Sequence, residues 1–263
     1  MKIQNPVIVT ALFDIGRDKW ENYEQSYGTY LSWMANLLFF DINIVIYTEE
    51  KFKEYIIEIR KLIDPDLKKT IIVVDTLENL QSHKLFYEKT KNLMESEEFK
   101  KTIYFQVPEM TKPLYNTLIF NKLYFIKNSI DKKYFDSDFF IWCDAGVLRD
   151  DVPIIRNNFP KLEKINNGFN DKITFFSHET DFVIKDRPNH ILSQYRYIHG
   201  GCFFVPNNKK IDTLIEKFNF LIDYYLNFGF IGAEEKYLDF CFLDDFENYN
   251  IVKSDWRQYF DIF

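Results

Sequence analysis

Short apolar runs alternate with amphipathic stretches along the first half of the chain. Val7 to Leu12 is a β-branched run that ends at Phe13-Asp14-Ile15-Gly16-Arg17. Tyr27 to Phe40 follows, with Tyr30, Leu31, Trp33, Met34, Leu37 and Leu38 at helical spacing. Ile42 to Tyr47 reads as a second strand. Glu50 to Ile63 reads as an amphipathic helix stopped by Asp64-Pro65, and Thr70 to Val74 as a third strand. The order strand–helix–strand–helix–strand predicts a parallel sheet with right-handed crossovers.

Ser82 to Lys101 is charged and reads as a peripheral helical segment. Pro113 opens a helix over Leu114 to Ile126, since its missing N–H costs nothing in a first turn. Phe139-Phe140-Ile141-Trp142-Cys143 is a five-residue apolar run, which predicts a strand buried on both faces. Asp144 ends that strand, and Ala145-Gly146 clear the space beside it. Ligands of open α/β sheets bind at the carboxyl ends of the strands, so this acid stands where a charged ligand would. A polar stretch, Arg149 to Asp171, precedes strands over Lys172 to Phe176 and Tyr197 to Val205. Asn207-Asn208 cap a helix from Lys209 to about Phe228. Gly229 to Gly232 break the chain before a last helix around Glu234 to Phe242, and Tyr249 to Phe263 reads as a strand and a returning tail.

The 263 residues show no repeat, linker or clear boundary. The expected fold is a single α/β domain: a mostly parallel central sheet flanked by helices, with a Rossmann-like N-terminal half. Apolar residues make up 46%, enough for a sizeable core. Phe 28 and Tyr 17 are high; coding bias or aromatic platforms for sugars and bases would each explain them. A net charge of −7 with dispersed acids argues against a nucleic-acid partner held through phosphates. Cys143, Cys202 and Cys241 have no metal-ligand spacing and read as buried thiols in a reducing compartment. The N-terminus does not read as a signal peptide, so the expected location is cytoplasmic, with peripheral membrane contact left open.

Five places could carry chemistry. Asp144 could bind a ribose hydroxyl or a divalent metal, or could simply cap a turn. Asp14, Gly16 and Arg17 follow strand one, where Gly16 permits a close approach and Arg17 offers a planar fork for phosphate. Lys122 shares a helical face with Tyr115, Ile119 and Ile126, so its ammonium needs Asp144 or a phosphate as partner unless it snorkels outward. His199-Gly200-Gly201 interrupts a strand, and adjacent glycines there mark a close approach. Glu234-Glu235 opens a helix, as helix-dipole electrostatics favour, and could also supply a general base. Asp181, Asp186, Arg187 and Arg196 rank as secondary contacts.

This ordered set resembles a GT-A glycosyltransferase. More narrowly, Val9-Thr10-Ala11-Leu12-Phe13-Asp14-Ile15-Gly16-Arg17 and Trp142-Cys143-Asp144-Ala145-Gly146 are similar to the HtrL/YibB-type family, which is linked to surface polysaccharide or lipopolysaccharide. The likeness spans about Val7 to Phe242. It implies a donor site built from Thr10, Ala11, Asp14, Gly16, Arg17, Lys122, Asp144, Ala145, Gly146, Gly200 and Gly201. Asp144 matches the first acid of the GT-A Asp-x-Asp motif, which holds ribose and a Mn²⁺ or Mg²⁺ ion on the diphosphate. Gly146 replaces the last acid. Either His199 or Asp150 then completes a metal site with Asp144, or Lys122 and Arg17 neutralise the diphosphate instead. Glu234 and Glu235 match acids that contact acceptor or donor sugar.

The resemblance therefore implies a glycosyltransferase that moves a sugar from a nucleotide sugar, a UDP-sugar first among them, to a glycan or glycolipid acceptor. Residues about 1–146 would form the nucleotide-sugar half and about 147–263 the acceptor half. A sugar-phosphate nucleotidyltransferase ranks lower, because only Gly16 and Arg17 stand for its Gly-rich basic loop. A non-catalytic module that binds nucleotide sugar or carbohydrate is the second rival.

Overall fold

The computed structural model describes residues 5–149 and 171–255. Asp150, most of the Arg149 to Asp171 stretch and the tail after residue 255 lie outside the described residues. The chain starts with β1 (Val7–Leu12), α1 (Tyr27–Leu38), β2 (Asn43–Thr48), α2 (Glu50–Lys61) and β3 (Thr70–Val74). Helices α3 (Gln81–Glu95), α4 (Glu97–Thr102), α5 (Pro108–Thr111), α6 (Pro113–Phe120) and α7 (Lys122–Asp131) follow. They lead into β4 (Phe139–Cys143). Then come β5 (Ile173–Ser177), α8 (Arg187–Leu192), β6 (Ile198–Pro206), α9 (Lys210–Asn227), α10 (Glu234–Asp244) and β7 (Tyr249–Lys253).

The described strands form one sheet in the order β3-β2-β1-β4-β6-β5-β7. Strands β3, β2, β1 and β4 run parallel, as does the β5–β7 pair; β6 alone is antiparallel to both neighbours. The expected single α/β domain with a mostly parallel sheet holds. β1 pairs with β4, where Val7 lies beside Phe140 and Val9 beside Trp142.

Alternation along the strands feeds two cores. Val7, Val9 and Ala11 of β1 face the layer that contains α6, α7, α9 and α10. Ile8 and Leu12 face α1 and α2. Rings fill much of the first core. Phe125 lies parallel to Trp142, with centroids 5.9 Å apart, and also stacks on Phe13 at 5.9 Å. Much of the aromatic excess is therefore spent on packing. Cys143 and Cys202 are free, buried and opposite one another on β4 and β6, with their sulfurs 4.0 Å apart. All three cysteines are free and buried, as the sequence suggests.

Two expected helices are broken in ways that matter. The Pro113 helix ends at Asn121, whose N–H turns back three residues to the Leu118 carbonyl while its own carbonyl accepts Phe125 N. The Asn121 side chain accepts from the Ser82 N–H and hydroxyl, which pins the kink to α3. Lys122 is thus the first residue of α7, not a mid-helix residue. The Ser82 to Lys101 segment breaks at Ser96, which caps α4 by accepting from Phe99 N. That segment is not purely peripheral: Phe86 and Met94 are buried in the core. Helix α8 has no counterpart in the sequence reading; Asp186 caps it, and Arg187 pairs with Asp244 on α10.

Arg60 closes the α1–β2 side. It is fully buried and donates to the carbonyls of Leu38, Phe40 and Ile42 at 2.7, 2.8 and 3.3 Å. It also donates to Thr70 Oγ1 at 2.8 Å. Arg60→Met leaves those acceptors dry and unsatisfied. A loss of about 3 kcal/mol or more in urea unfolding is expected. A loss under about 1 kcal/mol would contradict this role.

Candidate functional site

Strands β1 and β4 end at the same rim of the sheet, and β6, being antiparallel, begins there. A cleft of about 590 Å³ opens at this rim. Its walls come from the loop after β1, the start of α1, Tyr115 and Lys122, the Asp144 turn, the start of β6 and the start of α10. This is the position that open α/β sheets use for ligands.

Lys122 lies at the base of the cleft and is 6% exposed. Its ammonium lies 2.9 Å from Asp144 Oδ1 and 3.1 Å from Oδ2. It also donates to Glu234 Oε1 at 2.5 Å and to the Gly200 carbonyl at 3.1 Å. Three acceptor groups match its three protons. Burial alone would lower the lysine pKa; Asp144 and Glu234 override it and hold the group above its ordinary value. Burial lifts the Glu234 carboxyl, Lys122 pulls it back, and Glu235 and Asp144 push it up again, with a net rise. Among the described residues Glu234 Oε2 takes no hydrogen bond, and Glu234 lines the cleft. Asp144 is the open member, its side chain 39% exposed, and Trp142 Nε1 fixes it by donating to Oδ1 at 2.7 Å.

Gly200 makes this geometry possible. The register of β6 against β5 slips at this point, from Phe203 opposite Phe175 to His199 opposite Phe176. The slip turns the Gly200 carbonyl to Lys122 and its N–H to Glu235 Oε1 at 3.3 Å. A Cβ at Gly200 would overlap Glu234 Oε1. The glycine therefore admits the α10 carboxylates as well as edging the cleft. Arg196 holds the second acid, donating to Glu235 Oε2 at 2.7 Å and standing 3.7 Å from Glu109. Asn116 Nδ2 donates to the Gly232 carbonyl at 3.1 Å and so ties α6 to the turn before α10.

Of the expected donor residues, Ala11, Arg17, Lys122, Asp144, Ala145, Gly146, Gly200 and Gly201 line the cleft, as do His199, Glu234 and Glu235. Asp14, Thr10 and Gly16 are not among the described lining residues. Asp14 turns to Lys51 and accepts from Gly16 N at 2.8 Å, closing its own loop. Lys51 and that backbone bond overcome its burial and hold Asp14 below its ordinary pKa. Thr10 is buried within β1. Gly16 adopts φ +75° and shapes the turn that delivers Arg17. Among the secondary contacts, Arg196 belongs to the site, while Asp186 and Arg187 serve α8. Sequence reasoning missed Tyr27, Tyr30 and Arg149. The first two were legible as the i, i+3 pair that opens α1; Arg149 carried no pattern.

A divalent ion does not fit the described donor set. The Asp144 oxygens already face an ammonium and an indole N–H, so a dication there would meet the Lys122 charge. No group of three or more His, Cys, Asp or Glu side chains among the described residues could hold a metal. His199 sits edge-on to His178, with ring centroids 4.1 Å apart, and burial with that neighbour pushes its pKa down to about 4.

The chain is thus an α/β protein with an acid-and-lysine cluster in a cleft at the carboxyl rim of a mostly parallel sheet. A family model described as a bacterial protein of unknown function, HtrL_YibB, matches residues 4–263, and the chain belongs to that family. No curated protein matches it in sequence. Among solved structures it is similar to the galactosyltransferase LgtC in complex with donor and acceptor sugar analogues. That likeness has a TM-score of 0.49 and 10% identity, and covers 94% of this chain and 73% of that one. Among the described residues no helix is long and apolar enough to cross a membrane.

Two substitutions test this geometry. Lys122→Met leaves Asp144 and Glu234 facing each other without a cation, at an expected cost of about 3–5 kcal/mol at pH 7. Without the ammonium, the folded-state pKa of Glu234 rises further above its unfolded value. Stability of the variant should then fall as pH climbs from the ordinary carboxylate range towards neutrality. Urea unfolding at pH 5 and pH 7.5 measures this, and an equal deficit at both would count against it. Gly200→Ala should cost about 1–3 kcal/mol through overlap with Glu234. Gly229→Ala, at φ +82° in open space, should cost only about 1 kcal/mol through its backbone. The reverse ranking in thermal unfolding would refute the packing role of Gly200.

Proposed function

We propose that this chain is a GT-A-like glycosyltransferase that takes its sugar from a nucleotide sugar, first among them a UDP-sugar, and passes it to a glycan or glycolipid hydroxyl. One observation carries the reading. Lys122 joins an accessible acid at the end of β4 to a buried acid at the start of α10, both of which line one cleft of about 590 Å³. We read one carboxylate as facing the donor and the other as facing the acceptor.

In this reading Asp144 accepts hydrogen bonds from the donor's ribose. Lys122 holds Asp144 and Glu234 in place. Glu234 presents Oε2 to the acceptor hydroxyl, and its raised pKa suits a group that gains a proton near neutral pH. The new bond forms between the acceptor oxygen and the sugar's anomeric carbon. The bond from that carbon to the diphosphate oxygen breaks, and the nucleoside diphosphate leaves with the electron pair. Glu235, held by Arg196 and Gly200 N, positions Glu234 by occupying the space beside it. The nucleotide-sugar half would be residues about 1–146 and the acceptor half about 147–263.

Asp144→Asn and Glu234→Gln keep the shapes of the side chains and remove their charges. Each should lower turnover about 100-fold or more, with far-UV circular dichroism unchanged. Release of nucleoside diphosphate from a panel of UDP-sugars, with glycan and glycolipid acceptors, measures it. Full turnover in both variants would overturn the reading.

A further inference from the structure

We propose that the donor's diphosphate rests on a ledge formed by Arg17 and Arg149 on the aromatic start of α1, and that this ledge does the work of a divalent ion. The inference rests on the reading of the cleft as a nucleotide-sugar site. It adds the means by which the diphosphate is held.

The charges in the cleft point to this division of labour. Its described carboxylates are Asp144, Glu234 and Glu235. Lys122 takes the first two and Arg196 the third. With all its protons committed to protein acceptors, Lys122 has none left for a phosphate. Arg17 and Arg149 add two further positive charges to the lining. The described lining is thus net positive in a chain of net charge −7. No described carboxylate pairs with Arg17; it donates to Tyr30 Oη and, at 3.3 Å, to the Tyr23 carbonyl.

Both guanidiniums lie over rings. Arg17 stands 5.4 Å from the centroids of Trp20 and Tyr30. Arg149 stands 5.2 Å from that of Trp33. Tyr30 and Trp33 meet edge to face at 5.3 Å, so one aromatic pair carries both cations. Arg149 is also tied through Nε to the Gly146 carbonyl at 3.0 Å, in the turn that follows Asp144. Gly146 lets that turn close on the rings: a Cβ there would lie 3.2 Å from both Tyr30 and Trp33. Rings beneath a guanidinium orient its plane, and a guanidinium so oriented matches phosphate oxygens bidentately. The position that breaks the Asp-x-Asp pattern, Gly146, is thus the one that seats Arg149.

Isothermal calorimetry on the whole chain tests the ledge, with UDP, GDP, CDP and inorganic pyrophosphate as probes, first in EDTA and then in Mn²⁺. The expected result is nucleoside diphosphate binding in EDTA, with Kd changed less than about threefold by Mn²⁺. Arg17→Gln and Arg149→Gln should each weaken it about tenfold or more. Pyrophosphate should bind more weakly and show the same dependence on the two arginines. Binding that requires Mn²⁺, or arginine variants that bind like the parent, would overturn the ledge and leave the glycosyltransferase reading intact. No binding of any nucleotide under either condition would overturn both.

Discussion

A buried ammonium must be met by acceptors on every side, and Lys122 imposes that demand on three separate parts of the chain. Asp144 comes from the end of β4, Gly200 from the start of β6 and Glu234 from the start of α10. β4 and β6 already meet at this rim as antiparallel neighbours, and the lysine adds the start of α10 to them. The lysine thus fixes the geometry of the cleft floor, and at Glu234 it opposes the rise in pKa that burial causes. Taking either Lys122 or Glu234 away strands its partner in a dry environment, which is why the site and the local fold are hard to separate energetically.

The elements around the triad are shaped to serve it. The kink at Asn121 makes Lys122 the first residue of α7, beside the sheet rim. The register slip in β6 gives up regular pairing with β5 so that both backbone groups of Gly200 can face side chains. Trp142 reaches past the end of its strand to hold Asp144, and its ring is itself clamped by Phe125 and Phe203. Core packing and site geometry therefore share residues, and the rigidity of the ring column is passed to the acid.

Much of this was legible from the sequence. Short apolar runs and period-3.6 patterns located the strands and most helices to within a few residues, since central strands are buried on both faces and helices on one. Asp144 was visible because a fully apolar strand stopped at an acid, and Lys122 because a cation interrupted an apolar helical face. What could not be read were features decided by tertiary contact. The break at Asn121 depends on Ser82, which lies 39 residues away. Asp14 looked equivalent to Asp144 as an acid after a strand, yet Lys51 draws it out of the cleft lining. Gly200 looked like room for a ligand, and its space holds two carboxylates. Arg149 stands alone in the sequence and gains meaning only from the rings beneath it.

The coupling between Lys122 and Glu234 is the most direct measure of whether this ion cluster organises the site. A double-mutant cycle built from Lys122→Met, Glu234→Gln and the double variant, followed by urea unfolding at pH 7, isolates it. A coupling of about 2 kcal/mol or more is expected, with the double variant more stable than the lysine variant alone. A coupling below about 0.5 kcal/mol would contradict the central place given to Lys122.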